Sequence, residues 1–144
     1  MRKLIFLLFV ITGCASANLK TKAQLRVPEF MKGTFSDDYG IKYTISDTLW
    51  IQHPRSKYHI IKWNTKEQYV IARNDVGNGK EGGLYTRIDY MEFSNMEPFK
   101  WGFCLTEYKA VDAKTAEAVL IADRVNPKKG CNGFPFSRMK TTDK

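Results

Sequence analysis

The sequence has no apolar run long enough to cross a membrane as a helix, because its run at residues 4–11 falls well short of the required length of about 20 residues. It has few groups suited to catalysis or metal binding, with 3 cysteines and 2 histidines. No Gly-x-Ser-x-Gly nucleophile motif or acidic calcium-loop motif occurs. His53 and His59 have no third zinc ligand at a suitable spacing. We therefore expect neither a metal nor a cofactor, and do not expect an enzyme.

The apolar run has the surroundings of a secretory signal. Arg2 and Lys3 precede it, and small residues follow it, which is the usual order of a signal peptide. Its end, Ile11-Thr12-Gly13-Cys14, resembles the lipobox of bacterial lipoproteins. That resemblance implies removal of residues 1–13 and attachment of a lipid to Cys14, which would be the first mature residue. An ordinary signal peptide, cut after Ala15 or Ala17, is the alternative.

The lipobox resemblance also predicts the location and domain organisation. It implies a cell-envelope protein held to the membrane by the lipid on Cys14. Ala15 stands where an aspartate commonly retains Gram-negative lipoproteins at the inner membrane, so the outer membrane is expected if the source is Gram-negative. Residues 14–27 are polar and lack apolar periodicity, which predicts a tether. Residues 28–140 are predicted to form a single β-rich domain.

The net charge of +8 is spread along the chain. Removal of residues 1–13 takes away Arg2 and Lys3 and lowers it to about +6. A dispersed excess of this kind promotes solubility and loose attraction to anionic surfaces. No nucleic-acid-binding motif accompanies it, so we expect no nucleic-acid partner.

From residue 30 onward, apolar alternation between turn signals predicts short strands. The alternation is clearest at Ile41, Tyr43 and Ile45. The predicted strands are residues 31–35, 41–45, 48–53, 58–63, 68–73, 84–93 and 100–108, and a helix capped by Asp112 is predicted at 113–124. Residues 134–136 are expected to add a short edge segment, and the tail from Lys140 is expected to be loose. The fold class is therefore mainly β, a small antiparallel barrel or sandwich of about seven strands with one C-terminal helix.

The cysteine count predicts one disulfide. With Cys14 lipidated, Cys104 and Cys131 remain, and two cysteines in an exported protein most simply join each other. A thiol–imidazole pair of Cys104 with one of the histidines is the less favoured alternative.

Two resemblances concern the mature domain. Gly33-Thr34-Phe35 followed by a meander and a late helix resembles a lipocalin, although that family has tryptophan where this chain has Phe35. The lipocalin resemblance implies an eight-stranded barrel with a helix after it. Most of the mature domain also resembles small exported bacterial proteins without assigned function, in these spaced residues: Gly33-x-Phe35, Asp38, Trp50, Asn74-Asp75, Arg87-x-Asp89 and the ending Cys131-x-Gly133-Phe134-Pro135-Phe136. This second resemblance implies a shared fold and the disulfide, but no activity.

Five residues are candidates for ligand or partner binding. Trp50, Trp63 and Tyr85 are candidates for an aromatic wall, with core packing as the alternative. Arg87 and Asp89 lie two apart in a strand and so share one face. We expect that face on the outside, with a surface ion pair worth less than about 1 kcal/mol and an interaction surface around it, or else a structural pair. If it lies inside, the pair would line a cavity for a ligand with a polar end.

These observations favour a lipid-anchored binding or interaction module of the cell envelope. Its expected partner is an envelope protein or a small apolar ligand. A lipocalin-like carrier of a small apolar ligand is the first alternative, and an envelope hydrolase is the second.

Overall fold

The computed structural model describes residues 26–142, so Cys14, the signal and most of the predicted tether lie outside the described part. Eight antiparallel strands follow one another around a closed barrel, and the last strand pairs with the first. The mainly β antiparallel fold is thus confirmed, with one strand more than predicted. No helix between residues 26 and 142 has the length and apolar character that crossing a membrane requires.

The strands have the following bounds: β1 Gly33–Asp37, β2 Lys42–Ile45, β3 Leu49–Gln52, β4 Ser56–Asn64, β5 Tyr69–Asn74, β6 Tyr85–Glu92, β7 Trp101–Ala110 and β8 Ser137–Thr141. One α-helix, α1, spans Ala113–Glu117. Single turns of 3-10 helix lie at Glu29–Met31 and Gly79–Glu81.

The up-and-down order gives the barrel two different ends. Because successive strands run in opposite directions, their connections alternate between the ends. One end, called the closed end below, comprises residues 26–32, 46–48, 65–68 and 93–100. The other, called the mouth, comprises residues 38–41, 53–55, 75–84 and 111–112.

The barrel interior is filled by aromatic side chains. In β2 the side chains of Tyr43 and Ile45 are buried in the interior, as the alternation predicts, while Lys42 is exposed. Trp101 meets Trp50 edge to face, with ring centroids 5.9 Å apart, and meets Phe35 in the same way at 5.2 Å. Such edge-to-face contacts add to the stabilisation from apolar burial.

The closed end is sealed by the 3-10 turn that precedes β1. Met31 is fully buried, and the Phe30 ring lies 6.3 Å from that of Tyr90. The backbone N–H of Val27 donates to the Asp47 carboxylate at 2.9 Å, and the Trp63 indole donates to the Asp47 carbonyl at 2.8 Å. The described chain therefore enters the barrel at this end.

The helix is shorter than predicted, at Ala113–Glu117 instead of residues 113–124. Asp112 caps it as expected, because its carboxylate accepts from the Thr115 N–H at 2.7 Å. Residues 118–125 instead follow the outer surface of the barrel. Ala122 packs against Cys104 and Phe136 there. This tertiary packing outweighs the local helix propensity.

The sequence does not predict the eighth strand, β8. Residues 134–136 do not supply it; Ser137–Thr141 does, and it pairs with both β1 and β7. The prediction of a loose tail from Lys140 was wrong, since Lys140 and Thr141 belong to this strand. Met139 is the one large apolar residue of β8 and is fully buried, so the sequence shows no repeated alternation that would identify the strand.

Candidate functional site

The three aromatic residues predicted to form a wall do not lie together. Trp50 and Trp63 are 1% and 3% exposed and belong to the barrel interior. Tyr85 packs on the outer surface with Ala113 and the buried Ala116 of α1. Core packing, the alternative interpretation, describes the two tryptophans.

Arg87 and Asp89 lie on the outer face of the barrel but are buried. Their neighbours Ile88 and Tyr90 point into the interior, so the predicted outward orientation is correct. Only 2% of Arg87 and none of Asp89 is exposed, so the predicted surface pair and exposed interaction surface are wrong. The reason is a covering segment, α1 together with residues 118–136, that crosses this face.

Asp89 is the centre of the polar contacts beneath the covering segment. Its carboxylate accepts from Arg87 Nη2 at 3.0 Å, Arg124 Nη2 at 3.2 Å and the Thr106 hydroxyl. The guanidinium of Arg87 also donates to the Glu117 carbonyl at 2.7 Å and stacks 4.1 Å from the Tyr69 ring centre. Because a buried charge requires such pairing, this network has a structural role, which is to hold the covering segment on the barrel.

The Cys104–Cys131 disulfide is confirmed. It joins β7 to the covering segment, with Cα atoms 5.4 Å apart. The oxidised Cys104 has no thiol to pair with an imidazole. His53 instead contacts the Thr44 hydroxyl at 2.9 Å, and His59 contacts the Asp75 carboxylate at 2.7 Å. No group of three or more metal-ligating side chains occurs in residues 26–142.

Two adjacent hollows lie at the mouth of the barrel. The smaller, of about 150 Å³, is lined by Tyr58, Glu81 and Tyr108 among others. The larger, of about 350 Å³, includes Tyr43 and Gln52. Leu105 lines both of them, so the two hollows adjoin each other.

Exposed aromatic rings surround the hollows. Tyr39, Tyr108 and Phe134 are 78%, 42% and 71% exposed, and each of them lines one of the two hollows. They are the most exposed aromatic side chains in residues 26–142. Aromatic residues beside a concave surface are typical of binding sites, because they offer large contact areas at a small cost in conformational entropy.

A buried carboxylate, that of Asp37, fixes several residues that line the larger hollow. Asp37 is 3% exposed and accepts from the backbone N–H groups of Tyr39 at 2.9 Å and Ile41 at 2.8 Å, and from the Tyr43 hydroxyl at 3.0 Å. Burial raises the pKa of Tyr43 well above its ordinary value, and the Asp37 charge adds to this shift. Burial also raises the pKa of Tyr58. Both phenols are therefore neutral at physiological pH.

The rim of the mouth carries charges of both signs. Its connections contain two cationic residues, Arg55 and Lys80, and four acidic ones, Asp38, Asp75, Glu81 and Asp112. Lys42, Lys57, Arg73 and Lys109 at the adjoining strand ends offset this acidic excess.

Comparisons with known proteins do not assign the chain to a family. The chain matches no family model, and searches of curated proteins and of solved structures gave no significant match. The eight-stranded barrel agrees with the lipocalin resemblance in strand number. The helix differs, because α1 precedes the last strand instead of following the barrel.

The sequence does not predict a binding site at the mouth. Tyr39 lies between the predicted strands at residues 31–35 and 41–45, but Tyr108 and Phe134 are far from it along the chain. The barrel topology brings them to the same end, and this requires β8, the strand that the sequence did not predict. The sequence signal that could have indicated this site is the presence of aromatic residues in or beside the connections between strands.

Proposed function

We propose that the protein is a lipid-anchored binding module of the cell envelope whose binding site is the mouth. The observation that supports this best is the set of exposed rings of Tyr39, Tyr108 and Phe134 around two adjoining hollows. Nothing in the packing of the core requires these rings to be exposed.

The packed interior favours a binding module over a carrier. Trp50 and Trp101 occupy the middle of the barrel and are 1% and 0% exposed. A ligand inside the barrel would have to displace these packed rings, which costs several kcal/mol for each aromatic residue removed from a core. A small apolar ligand would therefore bind in the larger hollow at the mouth, and its co-purification would support the carrier alternative.

The proposed anchor is a lipid on Cys14. The support is the lipobox resemblance together with the pairing of Cys104 with Cys131, which leaves Cys14 as the third cysteine. Two or more acyl chains hold a protein stably on a membrane, whereas one chain binds weakly and reversibly. The proposed location is the cell envelope, at the outer membrane if the source is Gram-negative.

The anchor is tested by Cys14→Ser, with cell fractionation and the mass of the mature protein as measurements. We expect the variant to leave the membrane fraction or to remain unprocessed. A variant that is processed at the same position and stays membrane-bound would contradict the anchor.

The mouth is tested by site-specific photo-crosslinking in intact cells. A photoreactive residue at position 39 or 134 should crosslink to a partner. The matched control is position 61, because Ile61 is 41% exposed and lies in β4, away from the mouth connections. Equal crosslinking at position 61 and at the mouth would contradict a binding site there.

A further inference from the structure

A small apolar surface lies on the covering segment, outside the barrel. Leu120, Ile121 and Val125 are 88%, 54% and 96% exposed, and they are called the aliphatic patch below. Single exposed apolar residues are normal, but here three lie within six positions of the chain, and a group of exposed apolar residues is typical of surfaces that contact another molecule or a membrane.

The aliphatic patch is held rigidly. Arg124, next to Val125, donates from Nε to the Tyr90 carbonyl at 2.9 Å and from Nη2 to the Gln68 carbonyl at 2.7 Å. The backbone N–H of Asp123 donates to the Gly130 carbonyl at 2.9 Å. Because Asp123 and Arg124 are fixed in this way, the neighbouring Val125 lies on an anchored part of the covering segment.

These contacts also place Val125 near the closed end. Gln68 belongs to the connection between β4 and β5, which is part of the closed end. The described chain enters at this end too, where the Val27 N–H is bound to Asp47. Residues 15–26 reach at most about 40 Å when fully extended. The closed end is thus the end of the barrel at which the chain from the proposed lipid on Cys14 arrives.

Two lysines follow the aliphatic patch in the chain. Lys128 and Lys129 are both exposed and form no ion pair with any residue in the range 26–142. Apolar side chains beside lysines are the combination with which peripheral proteins bind anionic membrane surfaces.

We propose that the aliphatic patch inserts into the interfacial region of an anionic lipid bilayer. This inference rests on the proposed lipid anchor, and it deepens the proposed function by giving the barrel an orientation. The closed end lies against the membrane, and the mouth is presented to the aqueous side. Apolar residues of surface-bound proteins reach about 5–10 Å into the headgroup and acyl boundary.

The test uses two exposed valines at opposite ends of the barrel. Val125→Cys and Val76→Cys are each labelled with an environment-sensitive fluorophore in the mature protein, reconstituted into vesicles of phosphatidylethanolamine and phosphatidylglycerol. Val76 is 84% exposed and lies in the β5–β6 connection at the mouth, so it is the matched control. The mass of the unlabelled protein first reports whether Cys14 carries lipid, so failure of the anchor is recognised separately.

We expect the label at position 125 to shift its emission to the blue and to lose fluorescence with brominated phospholipids, while the label at position 76 does neither. Lys128→Gln with Lys129→Gln should reduce the blue shift at position 125, because these lysines attract the anionic headgroups. Equal responses at both positions, or an aqueous emission at position 125, would overturn the proposal. Shielding of position 125 in native membranes but not in lipid vesicles would also overturn it, in favour of a protein partner.

Discussion

Arg87 and Asp89 form an ion pair on the outer face of a barrel, with Nη2 and Oδ1 3.0 Å apart, yet their side chains are only 3% and 0% exposed. A side chain on the outer face of a strand is therefore not always exposed to solvent. The covering segment makes the difference here, because it brings Arg124 and the N–H of Ala122 to the same carboxylate.

The buried pair predicts a large loss of stability when one partner is removed. Asp89→Ala should lower the free energy of unfolding by about 3–5 kcal/mol, because two guanidinium groups lose their buried counter-charge. The control is Glu97→Ala, which breaks an exposed pair with Lys100 and should cost less than about 1 kcal/mol. Urea denaturation measures both, and a similar small loss in the two variants would contradict the structural role of Asp89.

Two buried tyrosines should respond oppositely to loss of the hydroxyl. The Tyr90 hydroxyl is buried and has no hydrogen-bond partner within residues 26–142. Tyr90→Phe should therefore stabilise the protein by about 1 kcal/mol, since an unpaired buried polar group is costly. Tyr43→Phe removes a donor to the Asp37 carboxylate and should destabilise by about 1.5–3 kcal/mol. Thermal unfolding distinguishes these outcomes, and destabilisation by Tyr90→Phe would show that its hydroxyl is in fact paired.

Stability should fall at alkaline pH. Burial raises the pKa of Tyr90 from 10.0 to about 12. Above pH 10 the unfolded chain loses this proton while the folded chain keeps it, so the unfolded state binds fewer protons and stability decreases as pH rises through this interval. Urea midpoints between pH 10 and 12 measure the slope. The slope should be shallower in Tyr90→Phe, and an identical slope in that variant would contradict the contribution of Tyr90.

Removal of the disulfide should weaken the attachment of the covering segment. The Cys104–Cys131 bond closes a loop with a sequence separation of 27. By loop entropy its replacement with two alanines should cost about 3–4 kcal/mol. Guanidinium denaturation checks this, with the oxidised parent protein as the reference. Two free thiols in the exported parent protein would instead show that the bond is not formed.

Local patterns predicted the parts of the fold that depend on neighbouring residues. Tyr43 and Ile45 alternate with polar residues and point inward as expected, and Asp112 caps α1. The helix was predicted too long, because Ala122 and Arg124 are fixed by contacts with β6 and β7 that local propensity does not contain.

The candidate site was less predictable than the fold. Trp50 and Trp63 are predicted as candidates for an aromatic wall that binds a ligand, but both side chains pack in the barrel interior. Tyr39 and Phe134 approach each other only through the closure of the barrel, which depends on β8. A strand with Met139 as its only large apolar residue gives too weak a pattern to predict that closure.

The pairing of the first strand with the last determines when folding can be completed. The contact between the Thr142 hydroxyl and the Thr34 carbonyl spans 108 positions of the chain. Such non-local contacts form slowly, and β1 and β7 remain open edges until β8 arrives. If the chain crosses a membrane from its N-terminus, nearly all of it must emerge before the ring can form. Until then, the unpaired edges of β1 and β7 can pair with other chains.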